Sequence, residues 1–315
     1  MNAVDALHRA LEHGELALPL PGSGATAVRW RGLAALGRRD VVLGRLAEAH
    51  CDATAILAEL ACPAPGPGEL WGVWAAEPPS PVLTAGRAGE QWRLSGVKPW
   101  CSGASSSTHA LVTARMEQSR PLFAVDLRQP GVRPVPNTWP AVGMARSDSG
   151  SVAFDDVTAA PVGPVDGYLD RPGFFHGAIG VAATWYGAAC GVADALRTRV
   201  ARGGADPHQV AHLGAVAAAL TGAQWAWESA AAEVDADPRD DAGGGRVRAL
   251  TVRAVVESAA TLTLDRVGRA LGAGPLCGDA EHAARVADLT VYLRQSHAER
   301  DLQELGGAVA VDASW

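Results

Sequence analysis

The C-terminal half of the sequence contains four long stretches with the apolar periodicity of α-helices, and they limit the possible folds more than any other feature. They begin near residues 174, 206, 245 and 279, and each is about 25 to 30 residues long by this criterion. Asp206 and Asp279 stand where a helix N-cap is expected, and glycines follow the first and third stretches. Four such helices with short polar connections predict a bundle.

The rest of the chain changes character at two points. Residues 1–66 show helical spacing of apolar side chains and end in the proline- and glycine-rich stretch CPAPGPGE. Residues 67–165 contain short apolar or alternating segments separated by Gly, Pro, Ser and Asp, which predicts a small antiparallel sheet or barrel. Residues 166–315 carry the bundle. The sequence therefore predicts a mostly α-helical chain with a central β domain, in three domains with these boundaries.

Composition and charge disfavour several classes of protein. The chain has 315 residues, of which 48% are hydrophobic and 19% charged, so it can bury a large core. Its formal charge of −7 argues against a nucleic-acid partner held by phosphate contacts. Neither a membrane-spanning segment nor a secretory signal is evident to sequence inspection. Five scattered cysteines, an odd number, predict a reduced cytoplasmic protein.

Metal binding is not predicted. His208 and His212 are spaced i and i+4, which could place two imidazoles on one helix face. No third ligand is evident nearby in the sequence, so His208 is expected to be a polar surface residue of the first helical turn.

One stretch of the β region has a composition that hairpin formation alone does not explain. In LSGVKPWCS, residues 94–102, a tryptophan and a serine stand almost side by side where a hairpin strand should end. A plain hairpin needs only alternation and a turn. The structural alternative is a core tryptophan beside a surface serine, with Cys101 as a small buried residue.

This stretch resembles the Leu-Ser/Asn-Gly-x-Lys-x-Trp-Ile-Thr/Ser element of the acyl-CoA dehydrogenase superfamily. A second stretch, GMARSDSGSVAFDDVTAAP at residues 143–161, resembles that family's Gly-Met-Arg-x-Ser element and the strand that follows it. The family has N-terminal helices, a small antiparallel β domain and a C-terminal four-helix bundle, and it binds FAD. The resemblance implies that the following residues contact the cofactor: Glu77, Trp100, Ser102, Gly272, Gly274, and either Arg199 or Arg202. For the two glycines, a helix C-cap is an equally good interpretation.

The sequence departs from the family where a catalytic base is expected. Removal of an α-proton next to a thioester needs a positioned base, which in the family is a glutamate. Ser296 and His297 stand at the family's Glu-Gly position, and Ala287-Asp288 stands at its Arg-Asp position. A serine cannot act alone, whereas His297 can, since a histidine has a reference pKa of about 6.5. Three nearby carboxylates could substitute by a shift of register, those of Glu299, Asp301 and Glu304.

Three functional hypotheses follow from the resemblance and its departures. The first is an FAD-dependent oxidoreductase with altered active-site chemistry, acting on a small molecule or a thioester. The second is a flavin-dependent monooxygenase of the same fold, with His297 as its acid or base. The third is a non-catalytic subunit that pairs with a full-length homologue, since the N-terminal region is about half the family's usual length. The apolar helix that begins near residue 174 also predicts a homodimer or homotetramer, because a bundle would leave one of its sides open.

Overall fold

The computed structural model describes residues 3–311. The helices in this range are α1 (Ala3–Glu12), α2 (Thr26–Arg39), α3 (Val41–Glu59), α4 (Gly167–Asp170), α5 (Gly173–Ala201), α6 (Pro207–Ala236), α7 (Gly245–Leu271), α8 (Gly274–Gly278), α9 (Ala280–Tyr292) and α10 (Glu299–Val311). The strands are β1 (Trp71–Trp74), β2 (Leu83–Ala88), β3 (Gln91–Lys98), β4 (His109–Thr113), β5 (Leu122–Asp126), β6 (Val132–Val135) and β7 (Ser151–Val162). The order of helices, strands and helices is the one that the sequence predicts.

The sheet is mixed, which corrects the prediction of a purely antiparallel domain. Its strand order is β1-β4-β5-β7-β3-β2, with β6 pairing to β7. The first pair, β1 with β4, is parallel, and the remaining pairs are antiparallel. The long strand β7 pairs with β5 near its end and with β3 and β6 along its start. It therefore holds the two halves of the sheet together.

The described chain packs as two compact units. Of the described residues, the first unit comprises 3–17, 46–141 and 145–174, and the second comprises 18–45, 142–144 and 175–311. The helices before residue 66 are thus divided between the two units and do not form a unit of their own. Sequence periodicity finds the elements but does not reveal which unit each of them joins.

The core of the first unit lies on both sides of the sheet. One cluster contains Trp74, Leu94 and Phe123. A second cluster, on the α3 side, contains Ile56, Leu111 and other apolar residues of α3 and β4. Because successive strand residues point to opposite faces, the fully buried run from residue 110 to 112 of β4 serves both clusters.

The second unit is built around the apolar helix α5. Trp185 and Leu196 of this helix are fully buried, and a β-carbon on Gly187 would collide with the backbone of Ala34 in α2. By length and composition α5 could cross a membrane, yet 72% of its most apolar window is buried in the structure. Packing within the chain therefore covers most of α5, so its composition no longer requires a partner molecule.

The fourth predicted helix is interrupted. Helix α9 ends at Tyr292, a short 3₁₀ turn covers residues 293–295, and α10 begins only at Glu299. The break is marked by Ala298, which has a φ of 49°, a conformation that an L-residue rarely adopts. By contrast, Asp206 and Asp279 cap α6 and α9 through backbone N–H groups as predicted.

Candidate functional site

The turn after β3 is fastened to a second loop of the same unit. Four of its backbone N–H groups donate to residues 147–150, with N···O distances of 2.8 to 3.1 Å. The donors are Cys101, Gly103, Ala104 and Ser105. The two motifs that carry the family resemblance are therefore in direct contact, and each fixes the backbone of the other.

Trp100 is held on this turn with its side chain outward. Its residue is 56% exposed, so the interpretation as a core tryptophan is wrong. Its φ is 57°, and Asp148 in the opposing loop has a φ of 44°. Left-handed conformations at non-glycine residues persist only where the surrounding structure enforces them, and they cluster at ligand sites. The structure thus presents a large aromatic surface on a rigid support.

Ser102 is buried, so it is not the surface serine of the structural alternative. It is 6% exposed, and its carbonyl accepts a hydrogen bond from the indole N–H of buried Trp74 at 3.0 Å. Its hydroxyl lies 2.8 Å from that of Ser149, which lies 2.8 Å from that of Ser147. Both the backbone and the hydroxyl of Ser102 are held in place from inside the unit.

Cys101 is the small buried residue that the sequence predicts. It is fully buried, and this burial raises the pKa of its thiol. Its sulfur lies 3.2 Å from the carbonyl oxygen of Lys98. A thiol of this kind is a poor nucleophile, since the thiolate is the reactive form.

Glu77 takes part in a buried polar cluster with Lys98 and Thr113. The Lys98 ammonium donates to the Glu77 carboxylate at 2.5 Å, to the Thr113 carbonyl at 2.7 Å and to the Thr113 hydroxyl at 2.8 Å. The Thr113 hydroxyl also donates to Glu77 at 2.5 Å. Burial lowers the pKa of Lys98, and the hydrogen bond to Glu77 opposes that shift. The Glu77 side chain is thus committed to the protein interior.

A small cavity next to Ser102 is lined by a histidine of α3, His50, which lies outside the two sequence motifs. The cavity has a volume of about 10 Å³ and is lined by Leu7, Leu46, Ala49, His50, Leu70, Trp71, Gly72, Ser102 and Ser107. The Trp71 N–H donates to His50 Nδ1 at 3.3 Å, and burial lowers the pKa of His50 to about 4. His50 is therefore neutral at pH 7, with its proton on Nε2. The sequence signal that could have identified His50 is a titratable side chain among the apolar residues of one helix face.

The candidate cofactor residues of the second unit lie at one end of its helices. Arg199 donates to the carbonyls of Gly203 and Gly204 at 3.0 and 2.9 Å, so it caps the end of its own helix. Gly272, with a φ of 64°, is the C-cap of α7, which confirms that interpretation. Gly274 begins α8, and neither it nor Arg202 has a buried setting. A β-carbon on either glycine would meet nothing within 4 Å.

Ser296 and His297 lie in the break between α9 and α10, which corrects their placement on one long helix. Their expected 100° separation about a helix axis therefore does not apply. The Ser296 hydroxyl accepts from the Ala298 N–H at 3.2 Å. The His297 side chain is 68% exposed, and its Nδ1 lies 3.1 Å from an Asp301 carboxylate oxygen.

The carboxylates near this break differ in their partners. Asp301 contacts His297, and Glu304 pairs with Arg246. Glu299 is exposed in the first turn of α10. Arg253 donates to the carbonyl of Gln295 at 3.1 Å, and this arginine is about 28 Å along α7 from Gly272 at the rise of an ideal helix. The candidate base is thus remote from Arg199 and Gly272 within the second unit.

Metal ligation finds no support in residues 3–311, where no group of three or more His, Cys, Asp or Glu side chains could hold an ion. The predicted site residues instead form separate sets. Glu77, Trp100 and Ser102 lie in the first unit, and the remainder lie in the second.

Comparison with known proteins supports the family resemblance that the two motifs indicate. Residues 77–157 match the acyl-CoA dehydrogenase middle-domain family, a segment that includes the 94–102 turn and most of the second motif. Solved structures of the same architecture superpose on nearly the whole chain with TM-scores of 0.76 to 0.79. The chain has the acyl-CoA dehydrogenase fold.

Three structures with this acyl-CoA dehydrogenase fold illustrate the range of its members. Methanesulfinate monooxygenase MsuC from Pseudomonas fluorescens is 21% identical, with 96% of this chain and 88% of that chain covered and a TM-score of 0.77. TdsC from Paenibacillus sp. A11-2, with FMN and indole, is 18% identical, with 96% and 94% covered and a TM-score of 0.76. KijD3, with FMN and a dTDP-linked amino sugar, is 20% identical, with 98% and 86% covered and a TM-score of 0.79.

These identities support the acyl-CoA dehydrogenase fold alone, and no curated protein sequence matches the chain. The two cofactor-bound relatives hold FMN, whereas the sequence resemblance predicts FAD. The fold therefore does not determine whether this chain binds FMN or FAD.

Proposed function

We propose that this chain is a flavin-dependent oxidoreductase, and that it oxygenates a small molecule instead of dehydrogenating a thioester. The observation that carries the proposal is the rigid 100–105 turn, which exposes the Trp100 indole and fixes the position of the Ser102 hydroxyl oxygen. Trp100 lies in the motif whose family role is to contact a flavin, and 56% of it is exposed. An exposed tryptophan on a strained, hydrogen-bonded support is better explained by a ligand than by packing.

The residues of this turn fit a flavin ring. The Trp100 indole can stack against a flat aromatic system, and the Ser102 hydroxyl can donate or accept a hydrogen bond. A bound flavin would supply electron transfer between a reductant and oxygen. This chain would supply the stacking surface, the hydrogen bond and the shielding of the ring from water.

We favour FMN over the FAD that the sequence predicts. Arg199, one of the two arginines that the resemblance offers as a cofactor contact, already donates to two carbonyls of its own chain at 2.9 and 3.0 Å. Gly272 is explained by its role as a C-cap. TdsC and KijD3, whose folds match, hold FMN. Mass spectrometry of the cofactor released by heat would identify FMN or FAD directly.

The second unit supports oxygenation over dehydrogenation. Ser296 offers no base where dehydrogenases of the family have a glutamate. Of the three nearby carboxylates, Asp301 contacts His297, Glu304 pairs with Arg246, and Glu299 is exposed to solvent. In our proposal the Nδ1–H of His297 donates to Asp301, which leaves Nε2 as a proton acceptor on an exposed side chain.

The test begins with cofactor binding. The purified chain is incubated with FMN or FAD, reduced chemically, and mixed with oxygen and candidate substrates, including an alkanesulfinate and a fused-ring thiophene. We expect a yellow protein that consumes oxygen with product formation, and no turnover of acyl-CoA thioesters with an electron-acceptor dye. Activity with acyl-CoA would overturn the oxygenase proposal. A protein that stays colourless until a homologue is co-expressed would favour the partner-subunit hypothesis.

We also propose that the chain forms at least a dimer, although the reason differs from the one given by the sequence. Helix α5 is covered by its own chain, whereas α6 exposes Trp225 by 69% and Val210 by 49%. Apolar residues exposed on one long helix are typical of an interface. Sedimentation at micromolar concentration is expected to give a mass above that of the 32.4 kDa chain.

A further inference from the structure

Three buried serine hydroxyls form a chain behind the 100–105 turn. The Oγ atoms of Ser102 and Ser149 are 2.8 Å apart, and those of Ser149 and Ser147 are also 2.8 Å apart. Exposure is 6% for Ser102, 6% for Ser149 and 0% for Ser147. Ser149 is therefore the central member, and both of its neighbours in the chain are hydroxyl groups.

The hydrogen bonds that link the three hydroxyls can run in either of two directions. Each hydroxyl has one proton to donate and can also accept. If Ser147 donates to Ser149, then Ser149 donates to Ser102, and the Ser102 proton is available outside the chain. If the direction is reversed, Ser102 donates inward and offers only lone pairs outside. Whether the Ser102 hydroxyl donates or accepts outside this row of hydroxyls therefore depends on Ser149 and Ser147.

The rest of Ser102 cannot adjust. Its carbonyl is held by Trp74, and the N–H groups that flank it in the turn donate to residues 147–150. Rotation of its hydroxyl is the freedom that remains. Ser149 controls that rotation, since among residues 3–311 its hydroxyl is the side-chain group that forms a hydrogen bond with the Ser102 hydroxyl.

A flavin ring places opposite demands on such a hydroxyl in its two oxidation states. The N5 atom of an oxidised flavin accepts a hydrogen bond, whereas the N5–H of a reduced flavin donates one. We propose that Ser149 is a positioning residue that lets the Ser102 hydroxyl act as donor in one oxidation state and as acceptor in the other. This inference rests on the proposed flavin function. The reversal turns three hydroxyl groups and moves no proton between molecules.

The experiment compares Ser149→Ala with Ser149→Thr, which keeps the hydroxyl. Flavin dissociation constants are measured for the oxidised and reduced forms by fluorescence and absorbance titration, and the reduction potential is measured against a reference dye. We expect Ser149→Ala to weaken binding by about threefold to tenfold, unequally for the two forms, and to shift the potential. Ser149→Thr should restore both values towards those of the wild type.

Two further variants complete the design. Ser105→Ala removes an exposed hydroxyl from the same turn and should change neither quantity. Ser147→Ala removes the third hydroxyl and should shift the potential in the same direction as Ser149→Ala, so a poorly folded Ser149→Ala protein would not prevent a result. If Ser102→Ala alters the potential while Ser149→Ala and Ser147→Ala do not, the positioning role is refuted and the flavin function stands. If the wild type binds no flavin, both proposals fail.

Discussion

The ammonium of Lys98 lies 2.5 Å from the carboxylate of Glu77, and the lysine is only 2% exposed. This ion pair links the end of β3 to the segment after β1, and Thr113 of β4 closes the cluster through its hydroxyl and carbonyl. Two residues that are 21 positions apart in the sequence therefore form one buried charge pair. The pair anchors Lys98, two residues before Trp100, and so adds to the hydrogen bonds that hold the turn in its strained conformation.

Breaking this pair is expected to destabilise the protein strongly. Glu77→Ala leaves a buried ammonium without its counter-charge, which costs about 3–5 kcal/mol. Asp265→Ala is the matched control, because it removes an exposed partner from the Arg269–Asp265 pair and should cost less than about 1 kcal/mol. Urea unfolding measures both. Equal midpoints for the two variants would show that the buried pair is not a stabilising element.

His50 is expected to make the protein acid-sensitive. Its folded pKa is about 4, below its unfolded value of about 6.5, so the unfolded state binds more protons between these values. The contribution of His50 to the free energy of unfolding is constant above pH 6.5. It falls as the pH drops towards 4, by up to about 3 kcal/mol. His50→Gln should lose this part of the pH dependence, and His13→Gln, at an exposed position, should keep it. Denaturant unfolding between pH 4 and 7.5 would detect the difference.

Trp100 should matter for the ligand and little for stability. Because it is 56% exposed, Trp100→Ala is expected to change the unfolding free energy by no more than about 0.5 kcal/mol. Flavin affinity should fall by about tenfold through loss of the stacking surface. Trp225→Ala, at 69% exposure, is the control and should leave flavin affinity unchanged. Full flavin affinity in Trp100→Ala would remove this turn from the proposed site.

Ala298 is expected to be a site where glycine stabilises. Its φ of 49° is unfavourable for alanine and natural for glycine, so Ala298→Gly should raise the unfolding free energy by about 0.5–1 kcal/mol. Ala217→Gly, in the exposed interior of α6, should lower it by about 1 kcal/mol. Calorimetry of both variants checks the prediction. A loss of stability in Ala298→Gly would mean that the break before α10 is not strained.

At Gly143 of the second motif, any side chain is expected to destabilise the protein. A β-carbon there would collide with the carbonyl of Ala287 in α9, and the neighbouring Met144 N–H donates to Asp288 at 2.5 Å. Gly143→Ala should therefore cost about 1–3 kcal/mol. Gly268→Ala is the control, since a β-carbon at that position in α7 would meet nothing within 4 Å and alanine should stabilise the helix. Thermal unfolding that ranks the two variants in the opposite order would contradict this account.

The sequence by itself determined the local elements. Asp206 and Asp279 cap the helices predicted for them, and the change from helix to strand and back occurs at the expected places. The LSGVKPWCS stretch identified the turn that carries the candidate site. These features depend on side chains within a few residues of each other, and such interactions keep the same form wherever the segment packs.

The tertiary structure alone decided which groups are buried and which partners they meet. It exposed Trp100 and buried Ser102, it paired β1 with β4 in parallel, and it joined Glu77 to Lys98. It also interrupted the last helix before Ala298, where helical periodicity continues in the sequence. Burial and ion pairing depend on residues far apart in the chain, so no local pattern contains them. The row of hydroxyls from Ser102 to Ser147 exists only because the turn after β3 and the loop before β7 are brought side by side.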